Sequence, residues 1–194
     1  MAQDKQDDAL NDLQAVLKID SMVGAPTFTV DQLFKAAKAG NASIIGDPKI
    51  SSRRDNKDRT ALHLLCIRGF LNEDGSTPSH WKIALHHPAI ATVKDVVGNT
   101  PLHWLASNGV KEALEHPKVG TVKNSFGMTP LHFLAREKVL AVLNHPKVSV
   151  VKDSGGNTPL HWLAQLKVKE VMQHPSVGSV LNSLGQTPRK IYEG

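Results

Sequence analysis

Gly98-Asn99-Thr100-Pro101-Leu102-His103-Trp104-Leu105-Ala106 decides the fold, because the stretch returns twice further along the chain. The copies run from Gly127 to Ala135 and from Gly156 to Ala164. Their Thr-Pro-Leu-His cores begin at Thr100, Thr129 and Thr158, a constant step of 29 residues. A second tag, His-Pro, keeps the same step at His87, His116, His145 and His174. Two markers locked to one period indicate units that stack on one another rather than one core assembled from unrelated segments.

Aligned at that step, the apolar residues fall into columns. The first full copy holds Leu102, Leu105, Ala106, Val110, Ala113, Leu114, Val119 and Val122. The next copies repeat the columns from Leu131 to Val151 and from Leu160 to Val180. Leu102, Leu105 and Ala106 step by i, i+3 and i+4, which marks one face of a helix. Val110, Ala113 and Leu114 repeat that stepping and predict a second helix. Thr100 suits an N-cap and Pro101 the first helical position, where a missing N–H does no harm. Pro117 stops the second helix after His116. Lys123-Asn124-Ser125-Phe126-Gly127 then reads as a turn, with the glycine supplying backbone freedom. Each unit is thus a short helical hairpin and a loop, which buries its apolar face only against neighbours.

The pattern extends both ways. Asp47-Pro48 occupies the His-Pro slot of an earlier, degenerate unit, and Thr29-Val30-Asp31-Gln32 forms a capping box that opens its first helix. The unit starting at Thr60 is longer than the others and carries an insertion between its helices, around Arg68 to Pro78, with Thr77-Pro78 restarting a helix. The expected division is residues 1–28 as a polar segment with a capping helix (stripe Ala9, Leu10, Leu13, Val16, Leu17) and residues 31–194 as the array. Its units span about 31–59, 60–99, 100–128, 129–157 and 158–186, followed by 187–194. In that last segment Arg189 and Lys190 replace Leu and His, which signals a C-terminal cap or a sequence that stops before the array does.

Composition narrows the class. Aromatics make up only 5% of the chain, so the core must come from aliphatic residues. The single Cys66 excludes an internal disulfide framework, suits a reducing compartment and falls in an apolar column. The acidic, polar start MAQDKQDDALNDLQ is unlike a secretory signal, and no apolar run approaches membrane-spanning length. The expectation is a cytoplasmic, monomeric protein with no membrane association. A net charge of +5 allows an acidic partner surface without demonstrating nucleic-acid binding.

The quoted stretch and its two copies resemble the ankyrin-repeat signature, and the Asp95-Val96-Val97-Gly98 and Asp153-Ser154-Gly155-Gly156 turns resemble that family's Asp-x-x-Gly hairpin. The resemblance covers roughly residues 31–190 and implies an all-α, ankyrin-like helical repeat solenoid with hairpin turns between helix pairs. The usual ankyrin unit has about 33 residues, so about four are missing here, from the second helix and the following turn. The family's glycine between helices survives as Gly40 and Gly109 but becomes Lys138 and Lys167. The family's Gly-Ala-Asp-Val-Asn segment is replaced by His-Pro-x-Val.

Eight of the ten histidines lie in two columns, which argues against a metal or catalytic cluster. His63, His103, His132 and His161 take the third helical position, where the helix dipole disfavours an imidazolium and a neutral hydrogen-bonding ring is expected. The resemblance makes them structural, tying the turn to its neighbour. His87, His116, His145 and His174 close second helices, where the dipole favours positive charge. Neither column has convergent ligand spacing. Phosphate loops, GxSxG and a supported Cys-His pair are all missing from the sequence, so neither enzymatic activity nor a cofactor is expected. The series Asp55, Asp95, Asn124, Asp153 and Asn182 reads as turn-forming residues.

Function is therefore sought in binding. Val96, Val97, Phe126 and Leu184 vary in type at hairpin positions, where packing does not dictate the residue, and the resemblance places them at exposed tips that touch partners. Trp104, Phe133 and Trp162 recur after the motif histidine; they read as packing between units or, by the resemblance, as the border of a concave face. Asn99, Met128 and Asn157, which precede the motif threonine, complete the candidate set with Lys94, Lys123 and Lys152. The lysines continue the line begun by Arg54, and reduce either to solvated surface charge or to a stripe facing an anionic partner. The leading expectation is a protein–protein interaction module using hairpin tips and the concave helix face. The alternative is an electrostatic binder of nucleic acid or another polyanion along the Lys/Arg column, although base-stacking aromatics are not interleaved with it. A third option is an adaptor fragment, including an effector delivered into another cell.

Overall fold

A computed structural model describes residues 28–67 and 76–194. The capping helix expected around Ala9 to Leu17, and residues 68–75 of the insertion, lie outside the described residues. Seven α-helices occur among the described residues: α1 Val30–Lys38, α2 Ala61–Ile67, α3 Ser79–Leu85, α4 Pro101–Ser107, α5 Pro130–Arg136, α6 Pro159–Gln165 and α7 Pro188–Glu193. Four 3-10 helices accompany them: η1 Ala42–Gly46, η2 Lys111–Glu115, η3 Leu140–Asn144 and η4 Lys169–Gln173. Among the described residues there is no strand, only one isolated antiparallel bridge between Arg54 and Thr60. The described residues form an all-helical fold.

The second helices are shorter than the apolar stepping predicts. Each of η2, η3 and η4 is five residues of 3-10 helix, beginning just after Val110, Val139 or Val168. A single tight turn buries one central residue, Ala113, Val142 or Val171, and leaves Leu114, Leu143 and Met172 half-buried. The His-Pro pair follows at once, with His116, His145 and His174 as the C-caps, and its proline allows no further helical turn. The inserted unit differs. Its second helix, α3, is a seven-residue α-helix whose Trp81 is fully buried and donates its indole N–H to the Leu65 carbonyl at 3.1 Å.

The first helices follow the sequence closely. In chain order α1, α2, α4, α5, α6 and α7 each contact the next. Leu102, Leu105 and Ala106, with their equivalents in α5 and α6, are fully buried and belong to one continuous apolar cluster running from Leu33 to Val171. Burying one such leucine contributes about 2 kcal/mol. Cys66 is fully buried in the same cluster, and burial raises its thiol pKa far above the ordinary range, as the column position implied. In α7 Arg189 and Lys190 are exposed at the positions that hold buried Leu and His elsewhere.

Backbone conformation explains the residues at the bends. Gly40 and Gly109 have φ of +72° and +74°, and Lys138 and Lys167 keep the same left-handed conformation at +56°. The bend is the same where lysine stands in place of glycine, so these lysines carry the strain that a Cβ brings to that region. The degenerate first unit keeps a further device. Asp47 Oδ1 accepts the Lys49 N–H at 2.8 Å, just as His87 Nδ1 accepts the Ala89 N–H at 3.0 Å. The expected capping box is present, with Thr29 and Gln32 exchanging side-chain to backbone bonds.

Candidate binding face

Helices α2, α4, α5 and α6 each open on a threonine whose backbone N–H donates to the Nδ1 of the histidine three residues later, at 3.0–3.1 Å for Thr60, Thr100, Thr129 and Thr158. The threonine hydroxyl lies 2.8–2.9 Å from the same nitrogen. Because Nδ1 accepts a backbone N–H, the proton sits on Nε2. That Nε2–H reaches the next hairpin and donates to the carbonyls of Asn99, Met128, Asn157 and Gln186 at 3.0–3.1 Å. One neutral ring thus joins two units. Burial is the main cause of the lowered pKa of all four, to about 4 for His103 and His132.

The second histidine column departs from its dipole-based expectation. His87, His116, His145 and His174 each accept a backbone N–H at Nδ1, two residues on, at 3.0–3.1 Å. Burial lowers their pKa as well, so positive charge is disfavoured rather than favoured. The five-residue 3-10 turns before His116, His145 and His174, and the two-turn α3 before His87, have too small a dipole to outweigh these two effects.

Hairpin geometry rests on the Asp/Asn column. Oδ1 of Asp95 accepts the N–H groups of Val97 and Asn99, and Asn124, Asp153 and Asn182 accept the equivalent pair. Consecutive hairpins are tied by backbone bonds, Ser125 N–H to Val97, Ser154 N–H to Phe126 and Ser183 N–H to Gly155. Gly127 is required twice over: its φ is +71°, and a Cβ there would sit 2.8 Å from the Ser154 nitrogen.

The basic column turns inward. Arg54 donates to the Lys94 carbonyl at 2.6 Å, Lys94 to Lys123 at 2.9 Å, Lys123 to Lys152 at 2.8 Å and Lys152 to Leu181 at 2.8 Å. The side chains remain exposed, but each charged group holds the backbone of the next unit, which accounts for their spacing within the chain itself.

The remaining candidates divide by exposure. Val96 (70%), Phe126 (60%) and Leu184 (80%) are strongly exposed, and Val97 (36%) less so. Trp104, Phe133, Trp162 and Asn157 are half-buried. Asn99 and Met128 are a correction: both are buried, so their side chains present almost no surface to a partner. The aromatic column is held from both sides. Trp104 and Trp162 donate their indole N–H to Asp95 and Asp153 at 3.1 and 3.0 Å, and the Arg136 guanidinium lies 5.7 Å from the Phe133 ring and 5.5 Å from that of Trp162.

Between the last two hairpins and the ends of α6 and α7 lies an open groove of about 590 Å³. Asn157 and Leu184 from the candidate set line it, together with Gly155, Gln186 and Lys190, which sequence reasoning did not select. The signal that could have found them is the glycine at 155, set in a column that otherwise holds Val97, Phe126 and Leu184. Among the described residues no group of three His, Cys, Asp or Glu side chains is placed to hold a metal ion, and no helix is long and apolar enough to cross a membrane. No protein-family model matches the sequence, and no curated protein matches it either.

Proposed function

We propose that this chain is an ankyrin-like repeat solenoid that binds another protein through its hairpin tips and the helix face beside them, without chemistry of its own. The observation that carries this reading is a division of labour. The recurring polar groups of the unit, from motif histidine and threonine to turn Asp/Asn and column lysine, are engaged in bonds within the chain. The tips instead carry large apolar side chains in solvent: Val96, Phe126 and Leu184. Exposed apolar residues on a rigid scaffold are the usual anchors of protein recognition.

The test is affinity capture by the full chain compared with a Val97→Asp/Phe126→Asp/Leu184→Asp variant whose helical circular dichroism is unchanged. Loss of specifically captured proteins from the variant supports the reading. Capture of the same proteins in the same amounts removes the tips from it.

A further inference from the structure

We propose that the row of hairpin tips pairs with the same row on a second copy of this chain, the two running in opposite directions about a two-fold axis. This deepens the protein-binding reading, rests on it, and departs from the monomer expected from the sequence.

The tips form one row of fixed register. Lys57, Val97, Phe126, Gly155 and Leu184 hold the same place in their hairpins: each donates its backbone N–H to the Asp or Asn side chain two residues before it, at 2.9–3.1 Å. The carbonyls of Lys57, Val97, Phe126 and Gly155 accept the N–H groups of Val96, Ser125, Ser154 and Ser183 in the following hairpin, which fixes the spacing of the row. From Val97 onward the side chains differ in size, as Val, Phe, Gly and Leu. Gly155 is not demanded by its backbone, since its φ is not positive. A Cβ there would approach only side-chain atoms, Asn157 Nδ2 at 3.0 Å and Asp153 Oδ1 at 3.4 Å. The bare tip is a feature of the surface rather than of the turn.

Read backwards, this series of sizes fits itself. In a two-fold interface residue i meets residue j of the other copy, and j meets i. With the axis midway between Phe126 and Gly155, Phe126 lies over the bare backbone of Gly155 in the second copy, and Val97 meets Leu184. The largest side chain faces the smallest and two of middle size face each other, so the rows close evenly. An axis through Phe126 sets two phenylalanines head-on and Leu184 against the charged Lys57. An axis through Gly155 leaves Val97 unpaired, and one between Val97 and Phe126 leaves Leu184 unpaired. Among these five tips, the chosen register alone pairs all three apolar tips without setting one against Lys57.

The area suits a reversible dimer. Val96, Phe126 and Leu184 are mostly exposed and Val97 partly so. Together they present on the order of 400 Å² of apolar surface per copy, about half of the ~800 Å² that each partner buries in a standard interface. Ser125, Ser154 and Ser183, exposed beside them, supply a polar rim.

The experiment follows the mass of the full chain by sedimentation equilibrium across the micromolar range, with circular dichroism confirming that each variant stays folded. A monomer–dimer equilibrium is expected. Phe126→Gly and Gly155→Phe should each weaken the dimer roughly tenfold or more, the first by removing the projecting ring and the second by obstructing its place. Combined in one chain they exchange the two sides of the pair, so the double variant should regain the parent affinity to within about threefold. Val97→Cys mixed with Leu184→Cys should form a disulfide between copies on mild oxidation, whereas Val97→Cys alone should not; the native Cys66 is buried and takes no part. A chain that stays monomeric, a double variant no tighter than the single ones, or cross-linking of Val97→Cys with itself would overturn the proposal. If the chain is monomeric while Val97→Asp/Phe126→Asp/Leu184→Asp loses its captured proteins, the dimer fails and the protein-binding reading stands. If the chain dimerises with rescue while that triple variant captures the same proteins, the dimer stands and the tips bind no other protein.

Discussion

The hairpins at Asp95 and Asn124 follow the same path and solve their hydrogen bonding in opposite ways. In both, Oδ1 accepts the N–H groups two and four residues on. The second side-chain atom differs. Asp95 Oδ2 accepts the indole N–H of Trp104, whereas Asn124 Nδ2 donates to Asn99 Oδ1 in the preceding hairpin at 2.8 Å. Asp153 repeats the first solution with Trp162, and Asn182 the second with Asn157. The residue before the motif threonine follows suit, as Asn99, Met128 and Asn157 in turn. An acceptor at the turn is met by a tryptophan at the start of the next unit, and a donor by an asparagine in the unit before. From Asp95 to Asn182 this second bond therefore has a period of two units, although the backbone period is one.

The largest expected effect tests what the two hairpin types share. His103 follows the Asp95 hairpin and His132 the Asn124 hairpin, and the pKa of each is lowered to about 4. The folded state holds these rings neutral while the unfolded chain protonates them near pH 6.5, so the unfolded state binds more protons between those values. Their contribution is complete above about pH 6.5, falls as pH drops toward 4 and changes no further below that. It amounts to on the order of 3 kcal/mol for each ring. Urea midpoints followed by circular dichroism should fall steeply from pH 6.5 to 4; a flat profile would remove the neutral-histidine assignment.

Next comes the difference itself. Asn124→Asp replaces a donor by a buried carboxylate facing Asn99, while Phe133 has no N–H to offer. It should cost about 1–2 kcal/mol in urea denaturation. Adding Phe133→Trp rebuilds the Asp–Trp pair and should recover about 1 kcal/mol, a positive coupling in a double-mutant cycle. Zero coupling would mean that the alternation is incidental. The smallest effect concerns a position that ignores the alternation. Lys138→Gly relieves a left-handed lysine and should raise stability by about 0.5–1 kcal/mol, whereas Gly109→Lys in the preceding unit should lower it by a similar amount.

These contrasts show how far the sequence could be read. Leu102, Leu105, Ala106 and their equivalents announced the first helices because their burial follows directly from helical period. The same stepping at Val110, Ala113 and Leu114 could not reveal a 3-10 turn, since both helix types place those residues on adjoining sides. The neutral motif histidines were legible from position alone. The second histidine column was not, because its neutrality depends on a backbone N–H two residues on. Asp, Asn, Asp, Asn was visible as a string at 95, 124, 153 and 182, but its reason lies in partners 9 residues ahead or 25 behind. The lysine column was legible as a line, and only the structure shows that its ammonium groups turn toward carbonyls 29 residues on.

In mechanical terms that line is a row of short tethers, from Arg54 through Lys94 and Lys123 to Lys152, each anchored one unit further along. Sliding two units past each other breaks their tether at once, while bending strains it only gradually. Pulled from its ends, the molecule loads the tethers in series and yields at the weakest, so it should lengthen in discrete steps. Each step releases one unit of chain, roughly 100 Å when fully drawn out.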